Sequence, residues 1–219
     1  MTMIKAHRPI AGALTTMLAA LVCLPHPVLA DADSANGPVA DAQSHTLFDP
    51  APADQLRSMA TDRPNVTNTP QTIDAGHLQV EEGFFDYARS RTNAPSPPRT
   101  LVFGHTNFRL GVLDNLEVNA AIDSYDVDWN TDASGRTTRQ SGVGDTTIGG
   151  KLNFWGDDGS DDTWATALAI QPQLKLPTAQ SGLGNGHAEL AVNVPFLVNL
   201  PAEFHLGLQT GIEIGRAHV

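Results

Sequence analysis

The stretch Trp164-Ala165-Thr166-Ala167-Leu168-Ala169-Ile170-Gln171-Pro172-Gln173-Leu174-Lys175-Leu176 alternates with a strict period of two. Trp164, Thr166, Leu168, Ile170, Pro172, Leu174 and Leu176 share one face, and Ala165, Ala167, Ala169, Gln171, Gln173 and Lys175 share the other. Successive side chains of a strand point to opposite sides, so this ribbon has one greasy face and one small or polar face. A soluble strand usually runs about five or six residues. A tilted strand crosses a bilayer in roughly nine to eleven. Pro172 removes one ladder donor, so the strand tolerates a local defect.

The pattern recurs on both sides of this stretch. A first strand is expected at about 77–88, with Leu78, Val80 and Phe84 on a face that Glu82 and Asp86 interrupt. A second, about 101–112, sets Phe108, Leu110 and Val112 opposite Asn107, Arg109 and Gly111. After the tight-turn signal Leu113-Asp114-Asn115, a third places Leu116, Val118, Ala120 and Ile122 opposite Glu117, Asn119, Ala121 and Asp123. A fourth, about 144–155, sets Ile148, Leu152 and Phe154 against Asp145, Lys151 and Asn153. The quoted stretch is fifth. Leu190, Val192, Val194 and Phe196 mark a sixth, and Phe204, Leu206, Leu208 and Ile212 a seventh.

The links between these strands alternate in length. Short ones fall near 113–115, 156–162 and 200–203, and long ones near 89–100, 126–143 and 177–187. Short turns at one end and long loops at the other are the outer-membrane barrel pattern. Phe154, Trp155, Trp164 and Phe204 lie at the short-turn ends, where an interfacial aromatic girdle belongs. The expected fold is therefore all-β, an antiparallel up-and-down transmembrane β-barrel of which about seven strands are present, occupying residues 61–212. The apolar face would meet lipid and the polar face a wet lumen, since a dry core would penalise its amides and charges by several kcal/mol unless they were paired.

The chain ends fit export. Lys5 and Arg8 precede the largely apolar run Ile10–Leu24, and Val28-Leu29-Ala30 offers a cut before Asp31, so residues 1–30 read as a cleaved signal peptide. Residues 31–60 are rich in Ala, Asp, Pro and Ser without periodicity and read as a disordered periplasmic lead-in. Ile214-Gly215-Arg216-Ala217-His218-Val219 resembles a sequencing adapter read through in frame, so 213–219 are expected to be a non-native tail that cuts the barrel short. Cys23 is the single cysteine, so the exported chain would have neither disulfides nor thiolate chemistry. Without Lys5 and Arg8, the 13 basic residues fall to 11 against 24 acidic ones. That balance disfavours a nucleic-acid partner, which needs a basic footprint.

Thr61-Asp62-Arg63-Pro64-Asn65-Val66-Thr67-Asn68-Thr69-Pro70 and Gly76-His77-Leu78-Gln79-Val80-Glu81 resemble the opening of the outer-membrane family labelled "MetA-pathway of phenol degradation". Gly142-Val143-Gly144-Asp145-Thr146-Thr147-Ile148-Gly149-Gly150-Lys151 and Leu174-Lys175-Leu176-Pro177-Thr178 extend the resemblance to most of the exported chain. Its motif residues here are Asp62, Arg63, Pro64, Gly76, Gln79 and Glu81. The resemblance implies a barrel inserted in outer-membrane lipid by the barrel-assembly machinery, passing small hydrophobic or aromatic solutes without a cofactor.

On that reading Arg109, Glu117, Asp123, Lys151, Gln171, Gln173, Lys175 and Glu189 line the pore and set selectivity by charge and hydrogen bonding. Asp62-Arg63-Pro64 reads as a solvated turn. The glycines of 142–150 lack the Gly-Lys-Ser/Thr ending of a phosphate loop and suit tight strand bends. Asp157-Asp158-Gly159-Ser160-Asp161-Asp162 lacks the final glutamate of an EF-hand and also reads as a turn. His77, His105, His187 and His205 lack metal-ligand spacing; only the last two would repay a check in the fold. Two alternatives stand beside passage. One is a surface barrel that binds a partner through the 126–143 loop. The other is a rim hydrolase using Ser141 or Ser181, His187, and Asp145 or Glu189, although such residue types occur in any polar rim. No enzymatic activity is expected.

Overall fold

A computed structural model describes residues 21–22, 44–63, 66–90, 97–132, 134–156, 159, 162–180 and 183–215. A two-residue strand β1 (Leu21–Val22) precedes the body of the sheet, which consists of β2 (Leu78–Arg89), β3 (Arg99–Leu113), β4 (Leu116–Thr131), β5 (Thr137–Gly142), β6 (Thr146–Gly156), β7 (Thr166–Leu176), β8 (Glu189–Leu200) and β9 (Phe204–Ile214). The order is β1-β9-β8-β7-β6-β4-β3-β2, with β5 beside the far half of β4, and every pairing is antiparallel. The sheet curls into a half-barrel. No helix among the described residues is long and apolar enough to cross a membrane, which does not bear on crossing by strands.

Alternation fixes the two faces. Directly opposed pairs Leu78 with Leu110, Leu110 with Val118, Ile148 with Leu174, Leu174 with Leu190 and Leu190 with Ile214 carry an apolar band around the convex side. That band is open to its surroundings: Leu78 is 61% exposed and Ile212 57%. The residues between them turn to the concave side, where Arg109, Glu117 and Lys151 are fully buried. The polarity is inverted relative to a water-soluble sheet, whose apolar face packs inward.

The expected strands are present, with four differences. The fifth begins at Thr166: Trp164 has a positive φ of 70° and lies outside the ladder, its N–H donating to Asn199 O at 2.8 Å. The link before it therefore spans 157–165. Residues 126–143, expected as a loop, are mostly ladder, with Asp126 opposite Gly142 and Thr131 opposite Thr137, closed by a short turn. β5 continues the register in which β6 meets β4, since Ile122 opposes Thr146, so the two form one strand with a three-residue opening. The final strand runs to Ile214, two residues beyond the apolar repeat.

The fourth difference positions the site. Residues 44–60, expected to be disordered, are folded against the sheet. Leu47 N–H donates to Val112 O at 2.8 Å and Ala51 N–H to Ala75 O at 3.1 Å. From there the chain climbs the concave face to about residue 63, and from Gln71 to Ala75 it descends the same face before entering β2. Gly76 makes that exit: its φ is +78°, and a β-carbon would sit 2.6 Å from Pro50 Cβ. Only glycine meets both demands. Gly111 lets the descending segment lie against β3, because a β-carbon there would be 2.1 Å from Asp74 O.

A girdle detail follows from a bulge. The β6–β7 register shifts between Asn153 and Trp155. One extra residue lets consecutive Phe154 and Trp155 both stay exposed, and Trp155 stacks on Phe196 with centroids 6.5 Å apart.

Candidate functional site: a plugged concave face

Three tiers of polar side chains cross the concave face, and the inserted segment sits on the lowest. Arg109 on β3 has five N–H donors, and all five are used. Nε and Nη2 grip Glu117 at 2.9 and 2.8 Å, and Nη1 reaches Glu81 Oε1 at 2.9 Å. The remaining two go to backbone oxygens of the segment, Ala60 O at 3.0 Å and Gln71 O at 2.9 Å. A planar guanidinium suits this, because its fork matches a carboxylate bidentately while its outer edges stay free. Lys151 on β6, opposite Glu117, donates to both Asp62 oxygens at 3.0 and 2.9 Å and lies 3.6 Å from Glu117 Oε1. Ile73 N–H donates to Glu117 Oε2 at 2.9 Å, and Thr69 N–H to Asp62 Oδ1 at 2.9 Å.

This explains how so many charges can sit buried beneath the segment. Two cations and the three carboxylates Asp62, Glu81 and Glu117 neutralise one another to within one charge, and segment amides take up remaining acceptors. A buried ion is tolerable only with such pairing. It also corrects the expectation of a solvated Asp62-Arg63-Pro64 turn. Asp62 is 6% exposed and is the anchor of the inserted segment. Arg63 bonds Asp86 at 3.0 Å. Pro64 lies outside the described residues. Gln79 completes the motif, its amide donating to Ala60 O at 3.0 Å and Glu81 Oε1 at 2.8 Å. The strings around Asp62, around Gly76 and before Lys151 are thus the parts of one network.

Of the eight pore-lining candidates, Arg109, Glu117, Lys151 and Gln171 are buried beneath the segment; Gln171 Oε1 accepts from Asn68 Nδ2 at 2.7 Å. Gln171 also lines the larger cavity above the segment, whereas Arg109, Glu117 and Lys151 do not. Gln173 stands one tier higher, on a cavity of about 820 Å³ shared with Asn107, Asn119, Glu81, His105 and Phe85. Asp123, Lys175 and Glu189 form the top tier. Asp123 pairs with His105 directly across β3 and β4. Lys175 pairs with Glu189 across β7 and β8 and lies 3.5 Å from Asp145. A smaller cavity of about 500 Å³ lies at the short-turn end beside Arg57, whose Nε donates to Asp74 at 2.6 Å.

The other candidates separate. Among the described residues no group of three or more His, Cys, Asp or Glu can hold a metal ion. His205 bonds Asn199 near the β8–β9 turn, whereas His187 lies before β8 begins, so the two occupy opposite ends. Ser141 accepts a hydrogen bond from Tyr125 at 3.0 Å, and Asp145 accepts from Ala179 N–H at 2.9 Å. Ser181 and most of the run 157–161 lie outside the described residues. The inserted segment was the part hidden from sequence reasoning. Its one signal is the Asp62 of the opening string set against Arg109 and Lys151, the basic residues on the polar faces of β3 and β6.

The sequence model of the family described as "Putative MetA-pathway of phenol degradation" matches residues 61–216. The match begins at the Asp62 anchor and runs through every strand of the sheet beyond β1. No curated protein and no solved structure matches the chain.

Proposed function

The chain belongs to this phenol-degradation MetA-pathway family, and from that premise we propose that it works as an outer-membrane β-barrel through which small hydrophobic or aromatic compounds pass without energy coupling. The observation that carries the reading is the inverted polarity of the sheet, with a continuous exposed apolar band outside and tiers of paired polar groups inside. Lipid is the environment in which such a band is stable and such an interior useful. Short turns at 114–115 and 201–203 then face the periplasm, and the taller β2–β5 wall faces outward. Residues 1–30, which include β1, are in this reading the export signal, and its cleavage would remove that two-residue strand from the β9 edge.

In this reading the segment between residues 57 and 75 is a plug. It narrows the lower lumen, so the passing solute meets the 820 Å³ cavity first and the Arg109 tier second. The Lys175–Glu189 and His105–Asp123 pairs sit nearest the outer mouth and screen charge there. The test is solute flux and planar-bilayer conductance of the protein reconstituted in lipid. Flux of small aromatic solutes into protein-bearing vesicles above that into empty ones supports passage, and equal flux removes it. A second reading draws on the ordered β4–β5 ribbon, which rises past the last β7 pairing row and is built to present a surface. A binding partner lost on trimming that ribbon, with flux unchanged, would favour it.

A further inference from the structure

The convex side changes chemistry toward the long-loop end, and an exchange of faces brings the change about. In a regular strand Asp123 and Asp126 would point to opposite sides. Here they converge: a β-carbon on Gly144 would sit 2.6 Å from Asp123 Cβ and 2.3 Å from Asp126 Oδ2. Asp86 lies in the same transverse row as Asp126, through Val102, and bonds Arg63 of the segment on the concave face. Gly104, at a φ of +64°, stands just below that row. Above it the even-numbered residues of β2, β3 and β4 are therefore concave, and the odd-numbered ones, concave lower down, are convex. Directly opposed residues share a face, so three convex rows follow. Phe85, Phe103 and Tyr125 form the first, and Tyr87, Leu101 and Val127 the second. Arg89, Arg99, Trp129 and Arg139 form the third. In it Arg89 and Arg139 are exposed, and half-buried Arg99 lies over the Trp129 ring at 5.4 Å.

We propose that Arg89, Arg99 and Arg139 form a belt that binds the phosphate headgroups of anionic lipids in the leaflet at the long-loop end. Other arginines of the chain are matched by carboxylates: Arg57 by Asp74, Arg63 by Asp86 and Arg109 by Glu117. Among the described residues no carboxylate pairs with the three of the row, although acidic residues outnumber basic ones 24 to 13. Height fits as well. Arg99 stands eleven residues along β3 from Leu110 of the aliphatic band. At a rise of about 3.3 Å and a tilt of roughly 40°, that is about 28 Å, just beyond a hydrocarbon layer about 25 Å tall. A guanidinium fork meets phosphate oxygens bidentately, and Tyr87 and Trp129 are residue types of the membrane interface. Free phosphate or an acidic protein loop is the poorer match. Either would leave the rows beneath uncovered, where Phe85 is 70% and Phe103 43% exposed, whereas a lipid covers arginine and aromatic rows together. The belt rests on the reading of the sheet as a membrane wall and names the chemistry its outer rim holds.

The experiment titrates the full chain in neutral detergent micelles with dioleoyl phosphatidic acid, dioleoyl phosphatidylcholine and inorganic phosphate, counting bound lipid by native mass spectrometry. Phosphatidic acid is expected to bind roughly a hundredfold more tightly than phosphatidylcholine at low salt, and the ratio should shrink as salt is added. Each of Arg89→Gln, Arg99→Gln and Arg139→Gln should lower it about fivefold, and the triple variant should bring it near one. Equal affinity for the two lipids in the unaltered protein would overturn the belt, whether or not the triple variant folds. So would single variants that keep the full preference, or displacement of the lipid by an equal concentration of inorganic phosphate. Insertion into phosphatidylcholine vesicles, followed by protease protection, separates the two claims. A chain that inserts but shows no lipid preference loses the belt and keeps the wall, and one that does not insert loses both.

Discussion

At the scale of single residues, the decisive feature is that the charged groups of the concave face serve a segment of the chain itself. Among the described residues the Lys151 ammonium bonds both Asp62 oxygens and the Gln71 carbonyl and lies 3.6 Å from Glu117. Lys151→Ala leaves buried Asp62 with only the more distant Arg109 Nε, 3.8 Å away, and should destabilise the fold by about 3 kcal/mol. Adding Asp62→Asn to it should recover part of the loss. Urea unfolding of the three proteins in the same lipid checks this, and an additive double variant would contradict it. Asp132 gives a contrasting case in the exposed turn between β4 and β5. The Ser134 hydroxyl, at 2.6 Å, and the Arg136 amide, at 3.0 Å, hold its carboxyl below the ordinary carboxylate pKa. A depressed folded-state pKa stabilises the turn above the unfolded value and loses that stabilisation as pH falls through the folded one. Amide exchange protection at Ser134 and Arg136 should therefore survive mild acid and fade only below the usual carboxylate range. In Asp132→Ala it should be absent throughout.

At the scale of elements, strands with a greasy face announced themselves and the rest did not. The Thr166–Leu176 ladder was legible because Leu168, Ile170 and Leu174 must share a side. In Asp126-Val127-Asp128-Trp129-Asn130-Thr131 the apolar residues Val127 and Trp129 fall on the opposite parity to Leu116, Val118 and Ile122, and Thr137-Thr138-Arg139-Gln140-Ser141-Gly142 has no large apolar side chain, since this part of the wall stands clear of the apolar band. Their pairing is backbone hydrogen bonding, to which composition is nearly blind. The plug was invisible for a related reason. Its hold on the wall runs largely through the carbonyls of Ala60 and Gln71 and the amide of Ile73, groups every residue possesses. Asp62 carried the only side-chain clue. Because β6 pairs with β4 only up to Ile122, replacing 127–141 by a tight turn should leave the strands below that row paired and the Asp62–Lys151 contact intact. Unchanged heat-modified gel mobility and an unchanged unfolding midpoint would verify it; loss of folded protein would not fit.

At the scale of the whole molecule, the two faces assign two solvents. Leu174 stands on the convex band between Ile148 and Leu190, and Gln173 beside it turns to the cavity. If lipid covers the band, Leu174→Lys should cost about 2–4 kcal/mol in a bilayer near its midplane, whereas Gln173→Lys should cost much less. Equal costs, measured by unfolding in vesicles, would remove the membrane assignment.

The plug also bears on timing. Its ionic contacts close within residues 62 to 151, so they can form as soon as β6 has been added, before β7 contributes Gln171 and β9 contributes Gln209 to its far side. If the half-barrel is the wall of an outer-membrane cylinder, one assembled in that sequence is stoppered before it is finished. The cell inserting it would at no stage face an open hole in its envelope, and a defect at Lys151 would show itself first as leakiness to antibiotics and detergents during growth.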